Sequence, residues 1–359
     1  MIVINTRSPY FITINETGQK GSRIELFIWN APGTIPANPN YTFSKPIASD
    51  TQTETNYNIS SFVKEYIDNV STADNTNLMF ANVSVKKYKL NSDNTYTLLG
   101  TDTFIGVNGY TKFLDGHNKT NTNTNLVLFT NNNKPIYYDR STSDFPYLNL
   151  FIDSATGDKF ELNYSDLRGR NVVNDIIVET TDSATKTMLK IPFTTTLNKY
   201  DKGNNIELKF TKADETVYSY SFKVLPVCEP KYTPIVCTFI NRFGGWEFLT
   251  FFKAQMSNYN VKGTSYNLLP SAIDYNPTKG QSKSFNINGM QTIKLNSGWL
   301  PEEYNDTIQD LLLSEVVLLD NVPVEVKTQT QAIKTSLQDR NINFEIEFGY
   351  SFNLINNVI

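Results

Sequence analysis

Histidine occurs once in this 359-residue chain and cysteine twice. A serine or cysteine nucleophile needs a base beside it, so triad chemistry would rest on His117 alone. That residue lies in the polar stretch DGHNKTNTNTN and reads as a solvated loop residue, with no Cys, Asp or Glu cluster to make it a metal ligand. The chain lacks an HExxH, a CxxC, a GxxxxGK[ST] and a GxGxxG. Neither Lys202-Gly203 nor Phe243-Gly244-Gly245 precedes a helix as a phosphate cradle must. Two carboxylates suffice for glycoside hydrolysis, but Glu302 with Glu303 suits a helix first turn, and Glu345 with Glu347 the wet face of a strand. The segment Asp153–Asp158 has too few oxygen ligands for a calcium loop. The expectation is a protein that is not an enzyme, with no cofactor and no metal.

Other absences narrow the class further. No apolar run approaches the roughly 20 residues that span a bilayer, so no membrane insertion is expected. The start, MIVINTRSPYFITIN, has no cationic segment followed by an apolar core and is not a signal peptide. The net charge is −4, and lysine and arginine are scattered, so there is no basic stripe with which to grip nucleic acid. Cys228 and Cys237 flank Pro230 and Pro234; a disulfide is conceivable, but without an export signal they read as two free thiols. The triplets at Asn58, Asn82, Asn118 and Asn163 are what so Asn- and Thr-rich a chain produces by chance.

What is present favours strands. Asn suits turns, Thr suits strands, both are poor in helix interiors, and there are 20 Tyr and 23 Phe. The expected fold is mainly β: two tandem immunoglobulin/fibronectin-like β-sandwiches followed by an α+β C-terminal domain with one amphipathic helix. Residues 1–114 form the first sandwich, with Ile24, Leu26 and Ile28 on one strand face. A helical stripe at Phe62, Val63, Tyr66, Ile67 and Val70 is capped by Ser60 or Ser61. Residues 115–125 read as a linker. Residues 126–226 alternate strictly at Phe160, Leu162, Tyr164 and again at Ile206, Leu208, Phe210, as seven short strands with turns between. In residues 227–359, Tyr266–Lys279 reads as irregular and Ser284–Leu295 as strand. The run PEEYNDTIQDLLLSE reads as a helix with Pro301 at its first position and Tyr304, Ile308, Leu311 and Leu312 on one face. The final strand alternates Ile342, Phe344, Ile346, Phe348 against Asn343, Glu345, Glu347.

The heaviest feature is PIVCTFINRFGGWEFLTFFK. Two strand-like arms flank Gly244-Gly245, a pair that accepts the positive φ of a tight turn. Trp246, Phe248, Phe251 and Phe252 each carry roughly 150–250 Å² of surface, so this hairpin must pack on its own domain or on a neighbouring subunit. Candidate interface residues are Phe243, Gly244, Gly245, Trp246, Phe248 and Trp299, for each of which a place in the core is the competing reading.

The hairpin, then KLNSGWLPEEYNDTIQDLLLSEVVLL, then VPVEVKT and INFEIEFGYSFN, together resemble structural proteins of the neck, tail or baseplate of tailed phages and prophages of Bacteroidota, including crAss-like phages. The resemblance covers roughly the last 130 residues and is carried by Asn241, Gly244, Gly245, Trp246, Glu247, Asn296, Gly298, Trp299, Glu302, Glu303 and Pro323. It implies a non-enzymatic virion component made in the host cytoplasm, a ring or hub whose partners are copies of itself and other phage tail or neck proteins. A mildly acidic subunit could also line a channel and touch DNA passively. The alternative is a receptor- or carbohydrate-binding adhesin of stacked β-sandwich domains.

Overall fold

The structure is a computed structural model and describes residues 2–30, 33–47, 52–68, 79–122, 126–139, 147–154, 157–170, 173–179, 185–192, 203–227, 231–268, 278, 280–332 and 341–356. Cys228 lies outside the described residues. The protein is mainly β, with several sheets and one short C-terminal helix.

The first 122 residues supply β1 (Ile2–Asn5), β2 (Phe11–Ile14), β3 (Gly21–Trp29), β4 (Tyr41–Pro46), β5 (Thr55–Asn58), helix α1 (Ser60–Lys64), β6 (Phe80–Leu90), β7 (Tyr96–Val107) and β8 (Thr120–Thr122). Six strands form one sheet in the order β4-β3-β6-β7-β1-β8, while β2 and β5 pair separately. Ile24, Leu26 and Ile28 of β3 meet Ile12 and Ile14 of β2, Tyr57 of β5 and Val63 of α1 in one core. The ladder β2–β5 and the helix thus bury a face of the larger sheet that would otherwise be wet. The helix is shorter than its apolar stripe suggested. Its start is not capped by Ser60, whose hydroxyl instead donates to Ser8 O (2.6 Å) and accepts from Tyr10 N (2.8 Å). Asn58 Oδ1 accepts from Ser60 N at 3.2 Å, holding the chain as it enters the turn.

The stretch 115–125 is not all coil. Thr120–Thr122 forms β8, which pairs antiparallel with β1 at the edge of the six-stranded sheet. Its three residues, Thr-Asn-Thr, offer no apolar alternation, so hydrophobicity gave no sign of it. His117 is exposed and stands edge-on to Phe11, ring centroids 5.8 Å apart.

Residues 126–227 contribute β9 (Leu126–Leu128), β10 (Ile136–Asp139), β11 (Tyr147–Ser154), β12 (Lys159–Asp166), β13 (Val173–Glu179), β14 (Thr185–Pro192), β15 (Asn204–Thr211) and β16 (Val217–Val227). They make a five-stranded sheet, β10-β16-β15-β12-β13, and a three-stranded sheet, β14-β11-β9. Both sheets share one core, in which Phe160, Leu162, Tyr164, Ile206, Leu208 and Phe210 face Leu148, Leu150, Ile152 and Ile191. Strict alternation is what lets each strand give every second side chain to that core. Strand β10 goes beyond the seven strands expected; it pairs parallel with β16.

The last unit holds β17 (Ile235–Ile240), β18 (Trp246–Phe251), β19 (Met256–Asn267), β20 (Ser282–Pro301), helix α2 (Asn305–Leu312), β21 (Val317–Leu319), β22 (Val322–Val326) and β23 (Asn341–Tyr350). One seven-stranded sheet runs β18-β17-β21-β22-β23-β20-β19. Ile342, Phe344, Ile346 and Phe348 are buried as their alternation requires, beneath Tyr304, Ile308 and Leu311. Pro301 does not open the helix: it closes β20 with an extended backbone, a 3-10 turn spans Glu302–Tyr304, and α2 starts at Asn305. Proline's fixed φ near −65° fits either place, so residue type alone could not choose.

A fourth cluster belongs to no single unit. It joins Val3, Met79, Phe80, Ile105 and Val107 from the first third, Phe129, Phe151 and Met188 from the second, and Ile240, Trp246 and Leu318 from the last.

Candidate functional site

The aromatic hairpin β17–β18 supplies the centre of that cluster. Ile240 pairs with Trp246, so the connection Asn241–Gly245 is five residues long, not a two-residue Gly-Gly turn. Of the two glycines only Gly244 has positive φ (85°). The turn is organised instead by Asn241, fully buried, whose Oδ1 accepts from Phe243 N (3.0 Å) and Gly245 N (3.3 Å). Its Nδ2 donates to Phe129 O (2.5 Å) and Glu247 Oε2 (2.9 Å). Gly245 is needed for space: a Cβ there would lie 2.3 Å from Phe129 Cβ. A Cβ on Gly244 would stand 2.9 Å from Gly109 N, and one on Gly109 2.6 Å from Arg242 O. Tyr110 N also donates to Arg242 O at 2.8 Å. The tip of the hairpin is therefore wedged between the end of β7 and the end of β9.

Trp246 is 3% exposed in this wedge, and Asn149 Nδ2 donates to its carbonyl. Phe243 packs half-buried on the same cluster under the Arg242 guanidinium, 4.8 Å from its ring centre. Phe248 packs on the middle core beside Tyr147. Five of the six candidate residues, Phe243, Gly244, Gly245, Trp246 and Phe248, are thus brought together, and what they join is the chain's own three parts.

Charge closes the same seam. Lys134 and Glu247, both buried, form an ion pair; Lys134 Nζ also donates to Thr307 Oγ1 (2.6 Å) and sits 4.7 Å from the Tyr304 ring centre. Tyr304 donates its hydroxyl to Pro135 O (2.6 Å), and burial pushes its ionisation well up. The cavity beside them, bordered by Thr130, Lys134, Glu247 and Tyr304, is about 10 Å³, room for one water at most. Cations of the first unit meet the helix region: Arg7 donates to Leu313 O (2.8 Å) and pairs with Glu315, which also holds Lys64 at 2.8 Å. Tyr110 donates to buried Asp310 Oδ1 at 2.7 Å. Burial raises the Asp310 carboxyl to about 6; Glu247 adds to the rise, while the Tyr110 hydrogen bond and Arg242 oppose it. Cys237 is a buried free thiol whose ionisation is likewise pushed up by burial.

The sixth candidate, Trp299, is elsewhere and points outward, 69% exposed. Its strand bulges against β23 between Asn296 and Trp299. Gly298 takes φ +73°, Asn296 Oδ1 accepts from Gly298 N (2.8 Å), and buried Ser297 Oγ accepts from Phe344 N (3.1 Å). The bulge turns the indole to the solvent side with Asn343 opposite it.

More than half of the exposed large hydrophobics lie in the same last unit. Of 22 exposed large hydrophobics among the described residues, 13 fall between Met256 and Ile355, so the last unit carries the excess. Most sit on β19 and the first half of β20, a stretch from which only the strand within Ser284–Leu295 was expected. Every residue of β19 is exposed. Strand β23 pairs with β20 only over Thr292–Pro301, so β19 and residues 282–291 form a two-stranded ribbon running past the sheet. The signal for β19 was faint because MSNYNVKGTSYN has no apolar face to alternate. Among the described residues there is no group of three His, Cys, Asp or Glu placed to hold a metal, and no helix is long and apolar enough to cross a membrane.

No family model and no curated protein sequence matches the chain. Among solved structures, a tetra-tandem repeat from the extending region of a large adhesion protein aligns over 81% of this chain and 70% of its own, at 10% identity and a TM-score of 0.20. At that score the alignment carries no argument about fold or role.

Proposed function

We propose that this chain is a non-enzymatic structural subunit of the neck, tail or baseplate of a tailed phage, forming a ring or hub with copies of itself and with other tail or neck proteins. In this reading the first two units are immunoglobulin/fibronectin-like sandwiches, set in place by the α+β unit. The observation that carries it is the distribution of apolar surface in the last unit: the aromatic hairpin is spent inside, whereas the ribbon and Trp299 are left bare. Contiguous exposed apolar surface on a folded protein marks a place where something else binds. An internal seam locked by Asn241, Gly245 and the Lys134–Glu247 pair suits a subunit that must present such a surface at a fixed angle. The mildly acidic chain would let DNA pass through a lumen without holding it.

The test is mass spectrometry of purified particles together with electron microscopy of the purified chain. The expected result is the chain in the virion and closed assemblies of it in the images. A chain missing from particles, or one that cleaves a polysaccharide, overturns the reading. A second reading, a carbohydrate-binding adhesin, draws on Trp299, an exposed indole beside Asn296, Asn343 and Glu345. Specific sugar binding on a glycan array, lost in Trp299→Ala, would favour it.

A further inference from the structure

We infer that the ribbon of β19 and the first half of β20 is the element by which one copy of this chain grips a second copy, by strand addition along the free edge of β19. The inference rests on the assembly reading above and says which part makes the contact.

Strand β19 ends the seven-stranded sheet, so along its 12 residues the outward row of backbone donors and acceptors has no strand beside it among the described residues. Isolated two-stranded ribbons are marginal in water, and edges are normally guarded by proline, by several charges or by a cover. Here β19 has no proline and one charge, Lys262. The only irregularity is a register shift between Lys262 and Thr264.

Register assigns the side chains to two faces. Tyr259 and Val261 lie with Gln291 and Gly289 on one, and Leu354 of the C-terminal segment reaches that face at Gly289. Across the shift, Met256, Met290, Phe285 and Tyr266 share the other, with the Phe285 and Tyr266 rings 5.5 Å apart. All these apolar side chains are exposed. The ribbon is also held at its root. Leu354 N donates to Gly289 O (2.8 Å), and the Asn288 side chain both donates to Ile355 O (2.9 Å) and accepts from Ile355 N (3.0 Å). A preset ribbon loses less freedom on docking.

Size admits a protein partner, and charge chooses a second copy as that partner. The ribbon presents 12 residues of β19 and the first 10 of β20, and a stable protein–protein interface uses roughly 20–30 residues a side. Its two strands hold Lys262 and Lys283 and no acid, so in a chain of net charge −4 the remainder carries −6. A neighbouring copy therefore offers an acidic body to a basic ribbon, which favours this encounter and disfavours ribbon against ribbon.

The experiment is native mass spectrometry and light scattering of the full chain over a range of concentrations, with wild type beside the double variant Tyr259→Glu, Val261→Glu. Both substitutions sit on exposed positions of the ribbon, and the thermal melt of the variant reports whether the body still folds. Wild type is expected as assemblies above the 40.8 kDa of one chain, and the folded variant at 40.8 kDa, association weakened by about 100-fold. Hydrogen exchange gives a second readout that needs no substitution: amides of β19 should slow as concentration rises, while those of β3 stay unchanged. A variant that assembles like wild type, or β19 amides blind to concentration, overturns the inference and leaves the virion reading intact. A monomeric wild type found in particles does the same. Assembly through the ribbon by a chain missing from particles overturns the virion reading alone.

Discussion

The two ends of the seven-stranded sheet have opposite fates. At one end, β18 is buried under the first two thirds of the chain, its Trp246 and Phe251 nearly sealed from water. At the other end, β19 has no strand on its outer side among the described residues, and every one of its own residues is exposed. Both strands belong to hairpins of one sheet, so backbone pairing does not separate them; side chains do. The β18 hairpin carries large rings and two glycines that let backbones close to within contact distance, which makes it a wedge between units. The β19 hairpin mixes Asn, Ser and Thr with spaced apolar residues, too thin a face for a permanent core but enough for a partner. An aromatic-rich segment is thus not by itself the sign of an outer interface. The richest one here is consumed internally, and the plainer ribbon is left exposed.

The sharpest way to break this contrast is to shave a tryptophan from each side. Trp246→Ala is expected to cost about 3–5 kcal/mol, because the cavity opens where three parts of the chain meet. Trp299→Ala should stay within about 0.5 kcal/mol, since its ring is mostly in water. Urea titrations of both variants decide it; equal losses would mean the hairpin is not the seam. The ion pairs offer the same comparison at a slightly smaller scale. Lys134→Met strands Glu247 in a buried site and should destabilise by roughly 3 kcal/mol or more, with much of the loss recovered in Lys134→Met, Glu247→Leu. Lys294→Met breaks the exposed pair with Glu345, for which about 0–1 kcal/mol is expected. A double variant no more stable than the single one would show that Lys134 matters through Thr307 and Tyr304 more than through Glu247.

How far the sequence could be read follows from the range of each signal. The final strand and the stripe Tyr304, Ile308, Leu311 were legible because their periodicity is local and one-sided. The need to bury Trp246 was legible from its size, but not its destination against Phe129 and Val107, more than a hundred residues away. Strand β10 stayed hidden because its pairing, parallel to β16, is made with residues nearly ninety positions on. Strand β8 is all Thr and Asn and the ribbon is exposed throughout β19, so hydrophobic patterning had little to report there. Lys134 could have been suspected only through its partner: a lone cation in NNNKPIYYD looks solvated until Glu247 is placed beside it. Asn241 carries no hydrophobic signal, and its weight shows only in the structure: four hydrogen bonds from one side chain shape the turn and tie it to Phe129 and Glu247.

Acidity should separate the two ends of the sheet as well, with the smallest and most gradual effect. Asp310 at the closed seam has its carboxyl raised to about 6 against 3.8 for a free aspartate, so the folded protein binds its proton more readily than the unfolded chain. The stabilisation that protonation brings is complete below 3.8 and is lost as pH rises through 6. At neutral pH the seam instead holds a desolvated charge. From the two values the swing is at most about 3 kcal/mol. Asp310→Asn keeps an oxygen for the Tyr110 hydroxyl and removes the charge, so it should be the more stable protein at pH 7.5 and lose that advantage by pH 4. Taking the difference between variant and wild type matters, because Asp93, Asp166, Asp214, Glu325 and Glu345 are held below their usual range and pull stability the other way as pH falls. The ribbon strands contain neither acid nor histidine, so self-association read at pH 5 and pH 7.5 should differ only through the body they dock on. Urea midpoints at four pH values for both proteins settle the point: parallel curves for variant and wild type would mean that Asp310 is not buried against Tyr110 in solution, and the seam would have to be redrawn there.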